Sequence, residues 1–212
     1  MKQLDPKSYR CEHSHNGIEH RSCYVNYLID NYPSRVGYLD IETSNLNASF
    51  GIVYTWAIKS RGTSKVITGR ITKNDFNTFP HDKRIVKDLI DEMKRYDVVV
   101  TYYGTGFDIP FIRSRALKSN LVFPFYREIN HLDLYYVVRH RLKLHSNRLA
   151  SATQFLGIEG KTNIDNDFWA RAVTGHTKSI DYILKHNIGD VEILEKLHNR
   201  LMPYMQNTRR SI

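Results

Sequence analysis

The run Val36-Gly-Tyr-Leu-Asp-Ile-Glu-Thr43 constrains this chain more than any other stretch of it. Apolar residues surround two acids, and Val36 to Ile41 reads as a buried strand. Side chains two apart on a strand share a face, so Asp40 and Glu42 point the same way. Two carboxylates on one face of a buried sheet repel each other unless something positive stands between them. Hard divalent cations, which take oxygen ligands, are the usual solution. An isolated Asp-x-Glu also describes a strand end whose acids simply reach solvent, so the pair gains meaning only if other acids accompany it.

Two further acids stand in suggestive places. Asp97 to Thr101 reads as a short apolar strand, and Tyr103-Gly-Thr-Gly-Phe-Asp108 leads from it into a helix beginning near Asp108, with Pro110 tolerable in the first turn. Capping and the helix dipole favour an acid there in any case. Asp190 lies in Lys185-His-Asn-Ile-Gly-Asp-Val-Glu-Ile-Leu194, inside a long final helix expected from about Ser179, its N-cap, to about Arg200. His186 precedes Asp190 by one turn on the same helix face, and Tyr182 is a turn further back.

The rest of the pattern supplies a scaffold. Phe50 to Lys59 and Lys65 to Ile71 read as strands joined by a turn at Ser60-Arg-Gly62, and Glu128 to Leu132 as another strand. Helices are expected over Lys83 to Arg95, Asp133 to Leu142 and Arg148 to Leu156. A strand meander followed by alternating helices and strands implies an α/β fold with a mixed sheet covered by helices. The 212 residues suffice for one well-filled domain over residues 36–212, with residues 1–35 as an appendage ending in the Pro33-Ser34 break.

Composition narrows the partners. A formal charge of +9 attracts polyanions, nucleic acid foremost and acidic lipid second. Membrane insertion finds no support, because no apolar run approaches the roughly 18–20 residues a span requires. Met1 to Arg10 shows no signal-peptide core, so a cytoplasmic protein is expected. In a reducing compartment two cysteines are thiols or metal ligands rather than a disulfide.

The three acidic segments, in this order, resemble the DEDD superfamily of 3′–5′ exonucleases, which share a ribonuclease H-like fold. Leu39-Asp-Ile-Glu-Thr43 is similar to the first family motif, Gly104-Thr-Gly-Phe-Asp108 with Pro110 to the second, and His186-Asn-Ile-Gly-Asp190 to the third. The likeness spans roughly residues 36–200 and is closest to polymerase-B-type and related exonuclease domains. It implies a sheet with a three-strand antiparallel meander plus parallel strands. It also implies phosphodiester hydrolysis with two Mg²⁺ or Mn²⁺ ions, about 3.5–4 Å apart in such centres. Under this reading Asp40 bridges the ions, Glu42 and Asp190 complete one, Asp108 helps hold the other, and His186 orients or deprotonates the attacking water. Two positions depart from the family pattern. Tyr103 stands where Asn is common, and a His occupies the offset of the third motif's Tyr, with Tyr182 in reserve.

Candidate nucleic-acid contacts flank these motifs. Tyr103 and Phe107 could stack on terminal bases, with core packing as the competing role of Phe107. The basic run from Arg139 to Arg148, with Arg141 and Lys143 between, could track phosphates or form a solvated face. Single strands or 3′ ends are the expected substrates. With no polymerase segment in this sequence, a proofreading role would need a replication or repair partner. A structure-specific endonuclease or ribonuclease, and a binding module with vestigial acids, are the rival readings.

Residues 11–23 read Cys-Glu-His-Ser-His-Asn-Gly-Ile-Glu-His-Arg-Ser-Cys. Cys11, His20 and Cys23 with either His15 or His13 would form a tetrahedral Cys₂His₂ zinc set, and the usual chelate spacing favours His15. Zn²⁺ would tie down a segment expected to have little apolar content of its own.

Overall fold

A computed structural model describes residues 5–160 and 165–205 of the chain. The first four residues of the expected N-terminal segment and the last seven of the expected domain lie outside these.

Five strands form one mixed sheet: β1 (Val36–Thr43), β2 (Val53–Ser60), β3 (Val66–Arg70), β4 (Val98–Thr101) and β5 (Asn130–Asp133), in the order β3-β2-β1-β4-β5. β1 to β3 make the antiparallel meander, while β1 pairs parallel with β4 and β4 with β5. The α/β, ribonuclease H-like architecture expected from the motifs is therefore the architecture observed. β1 sits at the centre of the sheet, with Asp40 opposite Ala57 and Glu42 opposite Thr55. The register shifts between Glu42 and Thr43, where β1 leaves the sheet.

The alternation along β1 assigns its two faces to two cores. Leu39 and Ile41 pack with Ile85, Leu89 and Met93 of α2 (Lys83–Met93) and with Phe111, Ile112 and Ala116 of α3 (Asp108–Lys118). Val36 and Tyr38 face the other way. They pack with α1 (Arg21–Asn31), α4 (Leu134–Arg141), α5 (Leu149–Phe155) and α7 (Thr177–Leu201), through residues such as Leu28, Val138, Ala152 and Leu194. Asp40 and Glu42 continue that second face, so their side chains project toward α7. A third, smaller cluster joins Tyr54 and Ile71 to Ile180 and Ile183 of α7 and to Ala172 of α6 (Asn166–Ala172).

The α2/α3 core is closed by a buried ion pair. The Arg115 guanidinium donates to both Asp82 oxygens at 2.8 and 2.6 Å, and Asp82 also accepts from the Val53 amide at 3.0 Å. This fixes α3 to the start of α2 and to β2, and so fixes the helix whose first residue is Asp108.

Several expectations need correction. The N-terminal segment is richer in buried apolar contacts than its composition suggests, because α1 sends Tyr24, Leu28 and Ile29 into the core. The final helix begins at Thr177 with His176 as N-cap. Ser179 lies buried inside the first turn, its Oγ 2.8 Å from His176 Nδ1. Helix α6 has no counterpart among the helices expected from the sequence. Its side chains gain their contacts from tertiary neighbours, Trp169 stacking on Tyr54 and Phe168 on Tyr182. The strand expected over Phe50 to Lys59 starts only at Val53, and Phe50 is exposed. The strand expected over Glu128 to Leu132 runs instead from Asn130 to Asp133.

Candidate active site

Three elements deliver the acids to one place. β1 contributes Asp40 and Glu42, α7 contributes Asp190, and the first turn of α3 contributes Asp108. His186 Nε2 lies 3.5 Å from Asp190 Oδ2 and 3.9 Å from Glu42 Oε1, so the imidazole stands between an acid of the sheet and an acid of the helix. Ligand atoms of Glu42, His186 and Asp190 all fall within 4.8 Å of one another.

The other two acids are bonded to chain neighbours of this trio. Asp40 Oδ2 accepts a short hydrogen bond from Asn187 Nδ2, and Asn187 Oδ1 accepts from Thr55 Oγ1 at 3.3 Å. The Thr55–Asn187–Asp40 chain thus fixes the Asp40 rotamer between β2 and α7. Asp108 Oδ1 accepts from the backbone N–H of Ile41 at 3.2 Å, the residue between the two acids of β1.

The turn before Asp108 explains the glycines there. Tyr103 adopts φ 64°, a left-handed conformation, and a Cβ on Gly104 would lie 2.2 Å from Thr101 Oγ1. Only glycine fits that approach. The turn is pinned by Asp133, whose Oδ1 accepts from the Tyr103 amide at 2.7 Å and whose Oδ2 accepts from the Thr105 amide at 2.9 Å. Asp133 is also the N-cap of α4, accepting from the Tyr135 amide at 3.1 Å.

A cation would offset the cost of ionising the buried Asp108 carboxyl. Burial pushes the Asp108 carboxyl up to about 7; two backbone hydrogen bonds oppose the rise and the Asp133 carboxylate adds to it. A buried carboxylate stays ionised readily only when positive charge reaches it. Among the gathered residues Glu42 and Asp190 offer carboxylate oxygens and none offers a thiol, which suits a hard divalent cation. The residues present therefore fit the metal expected from their pattern.

Asn187, Thr55 and Asp133 are members of this constellation that the sequence motifs do not single out. A signal for Asn187 exists: it is a polar residue on the buried stripe Ile183, Asn187, Asp190, Val191, Leu194 of α7. Other expected residues fall into place less evenly. Tyr103 is 47% exposed and meets the Tyr135 ring edge-on at 4.8 Å. Phe107 packs into the α2/α3 core, its ring 5.5 Å from Phe111. It also lines a cleft with Leu46, Asn47 and Pro110. The Tyr182 ring stacks on that of Phe168, centroids 4.0 Å apart. Arg139, Arg141, Lys143 and Arg148 are exposed at the end of α4 and in the loop after it. Tyr102, beside the glycine turn, donates its hydroxyl to the Asn147 carbonyl of that loop at 2.6 Å, so the basic run adjoins the second motif.

The N-terminal residues form a separate group. Cys11, His13, His20 and Cys23 bring their ligand atoms within 4.8 Å of one another. The grouping takes His13 where chelate spacing favours His15. Ser14 turns the chain at φ 64° and its amide donates to the Cys11 carbonyl at 2.8 Å, which folds His13 back over Cys11.

The pattern of the RNase_H superfamily matches residues 37–202, which takes in all three acidic motifs and the five-stranded sheet. The chain belongs to the RNase_H superfamily. Among curated proteins it resembles DNA polymerase 1 of Sulfurisphaera ohwakuensis, 30% identical over 181 residues, covering 71% of this chain and 20% of that one. It also resembles a DNA polymerase of Methanocaldococcus jannaschii, 28% identical over 165 residues, 63% of this chain and 9% of that one. This RNase_H superfamily chain thus spans about a fifth or less of these relatives. Among solved structures, the family B DNA polymerase of Pyrobaculum calidifontis shares the fold with a TM-score of 0.62 at 18% identity, over 81% of this chain and 25% of that one. Among the described residues, no helix is long and apolar enough to cross a membrane.

Proposed function

We propose that the protein is a metal-dependent 3′–5′ exonuclease that hydrolyses phosphodiester bonds of DNA or RNA with two divalent ions. The observation that carries this reading is the meeting of Glu42, His186 and Asp190, with Asp40 on the same strand as Glu42 and Asp108 bonded to that strand at the Ile41 amide. The polymerase relatives and the charge of +9 support a nucleic-acid substrate. They also make a replication or repair protein the natural partner class.

In this reading Asp40, Glu42 and Asp190 would hold one ion, and Asp108 would help hold the second. Bound there, the ions supply Lewis acidity toward the attacking water and the leaving 3′ oxygen. The protein's own groups do the rest. Asn187 keeps the Asp40 carboxylate oriented, so no rotamer has to be ordered when substrate arrives. Asp133 holds the Tyr103–Thr105 turn, which sets the position of Asp108. His186 receives a proton from the water or orients it, since imidazole titrates near neutral pH. Exposed Tyr103 offers a ring to a terminal base, and the Arg139–Arg148 run offers charge to the phosphates behind it.

A 5′-labelled single-stranded DNA and the matching RNA, incubated with Mg²⁺ or Mn²⁺, test this directly. The reading predicts a ladder shortening from the 3′ end, abolished by chelator and by Asp40→Ala with Glu42→Ala. Discrete internal cuts would replace the exonuclease with an endonuclease, and tight binding without cleavage would leave a binding module.

A further inference from the structure

The carboxylate site uses neither cysteine and none of the N-terminal histidines. We propose that Cys11, His13, His20 and Cys23 form a second, structural metal centre that binds one Zn²⁺ and ties residues 5–20 to helix α1. This goes beyond the nuclease reading and stands without it.

The two sulfur–nitrogen distances from Cys11 suit a tetrahedral zinc. With Zn–S near 2.3 Å and Zn–N near 2.0–2.1 Å, a sulfur and a nitrogen on one tetrahedral zinc lie about 3.6 Å apart. Cys11 Sγ is 3.6 Å from His20 Nδ1 and 3.7 Å from His13 Nδ1. The fourth ligand comes from the helix itself. His20 is the N-cap of α1 and Cys23 lies three residues on, so both project from one helix face. The other half is a turn shaped for chelation: the Cys11 amide donates to the His15 carbonyl at 3.0 Å, and the Ser14 amide to the Cys11 carbonyl. His15 thereby serves through its backbone, and its ring stays outside the group.

The centre also has something to hold. Residues 5–20 adopt turns rather than a helix or strand, and they reach α1 by a few contacts. The Tyr9 hydroxyl donates to the Cys23 carbonyl at 3.2 Å and its ring meets those of Tyr24 and Tyr27, while within the segment the Gly17 amide donates to the Pro6 carbonyl. Both cysteines are free and part-buried, so each sulfur can exchange its proton for the metal, the proton passing to solvent. Two thiolates and two imidazoles favour Zn²⁺ over the hard ions that suit the carboxylate cluster.

The test is elemental analysis of the full chain, produced in a reducing cytosol and purified without chelators or a histidine tag. One zinc per chain is expected. Cys11→Ser with Cys23→Ser should lower it at least tenfold, whereas Asp40→Ala with Glu42→Ala should leave it unchanged. On challenge with a chelator, His13→Ala should release zinc faster than the unaltered protein, and His15→Ala should not. A zinc-free protein, a protein whose two cysteines are oxidised to each other, or zinc lost only with the carboxylates would overturn the proposal. If the double cysteine variant does not fold, chelator-treated protein is titrated with Co²⁺. Saturation at one equivalent with thiolate-to-cobalt charge-transfer absorption is expected, and its absence would count against the site. Zinc removal should also speed amide exchange over residues 9–24 while leaving β1 and β2 protected. Equal acceleration everywhere would contradict a local tie.

Discussion

At the scale of single residues, His186 and His198 are two histidines of one helix put to opposite uses. His186 stands between Glu42 and Asp190, at the offset where the resembled motif carries Tyr. His186→Ala should lower turnover by roughly 10²–10⁴-fold, the range of a positioned acid or base, while metal and strand affinity persist. Turnover near that of the unaltered protein would remove the histidine from the mechanism. His198 is fully buried, 2.8 Å from the Tyr38 hydroxyl and 3.3 Å from the Arg61 guanidinium. Burial, with a smaller push from the Arg61 charge, holds its imidazole down at about 3. The unfolded chain binds a proton near pH 6.5 and the folded chain does not, so the stability it contributes is present above pH ~6.5 and is lost as pH falls toward 3. Denaturant midpoints at pH 7 and pH 5 should therefore draw apart more in the native protein than in His198→Phe. Equal pH dependence in the two would contradict this.

At the scale of elements, the features legible in the sequence and those hidden in it divide along physical lines. The β1 acids are legible because alternation within an apolar run fixes both strand and face. The Asp108 turn is legible because its glycines lie against side chains three residues before them, Thr101 and Tyr103, and leave no room for a Cβ. Helix α1 is not, since Tyr24, Leu28 and Ile29 are diluted by Asn, Asp and Cys, and its apolar face becomes visible only against the sheet. Helix α6 is seven residues long, too short to announce itself without the partners it stacks on. Asp133 stays hidden for a related reason, and Asn187 shows only as a polar residue on an apolar stripe: a positioning role depends on the groups that lie across space. The glycine turn also yields a prediction. Gly104→Ala forces a Cβ against Thr101 and must shift the turn that carries Asp108. Cleavage should fall at least tenfold, with a stability loss of about 1–3 kcal/mol as expected of overpacking. Unimpaired cleavage in a folded Gly104→Ala protein would show that the turn does not set the position of Asp108.

At the scale of the molecule, the sheet separates two tasks. Its α2/α3 side is an apolar core locked by the Arg115–Asp82 pair, with Asp108 at the start of α3, and its α7 side carries Glu42, His186 and Asp190. The basic run adjoins the same end through the Tyr102–Asn147 hydrogen bond, which brings part of the net charge of +9 near the acids. Replacing Arg139, Arg141, Lys143 and Arg148 with Gln should flatten the salt dependence of single-strand binding, by about 0.7 in log–log slope for each phosphate no longer neutralised. An unchanged slope would make the run a solvated surface only.

The central claim is that Asp40, Glu42, Asp108 and Asp190 form one two-ion centre. Crystals grown with Mn²⁺ and a short single strand test it most directly through anomalous difference density. Two peaks about 3.5–4 Å apart, bounded by these four carboxylates, are predicted. Diffraction that shows an ordered strand with no manganese among the four acids would contradict it.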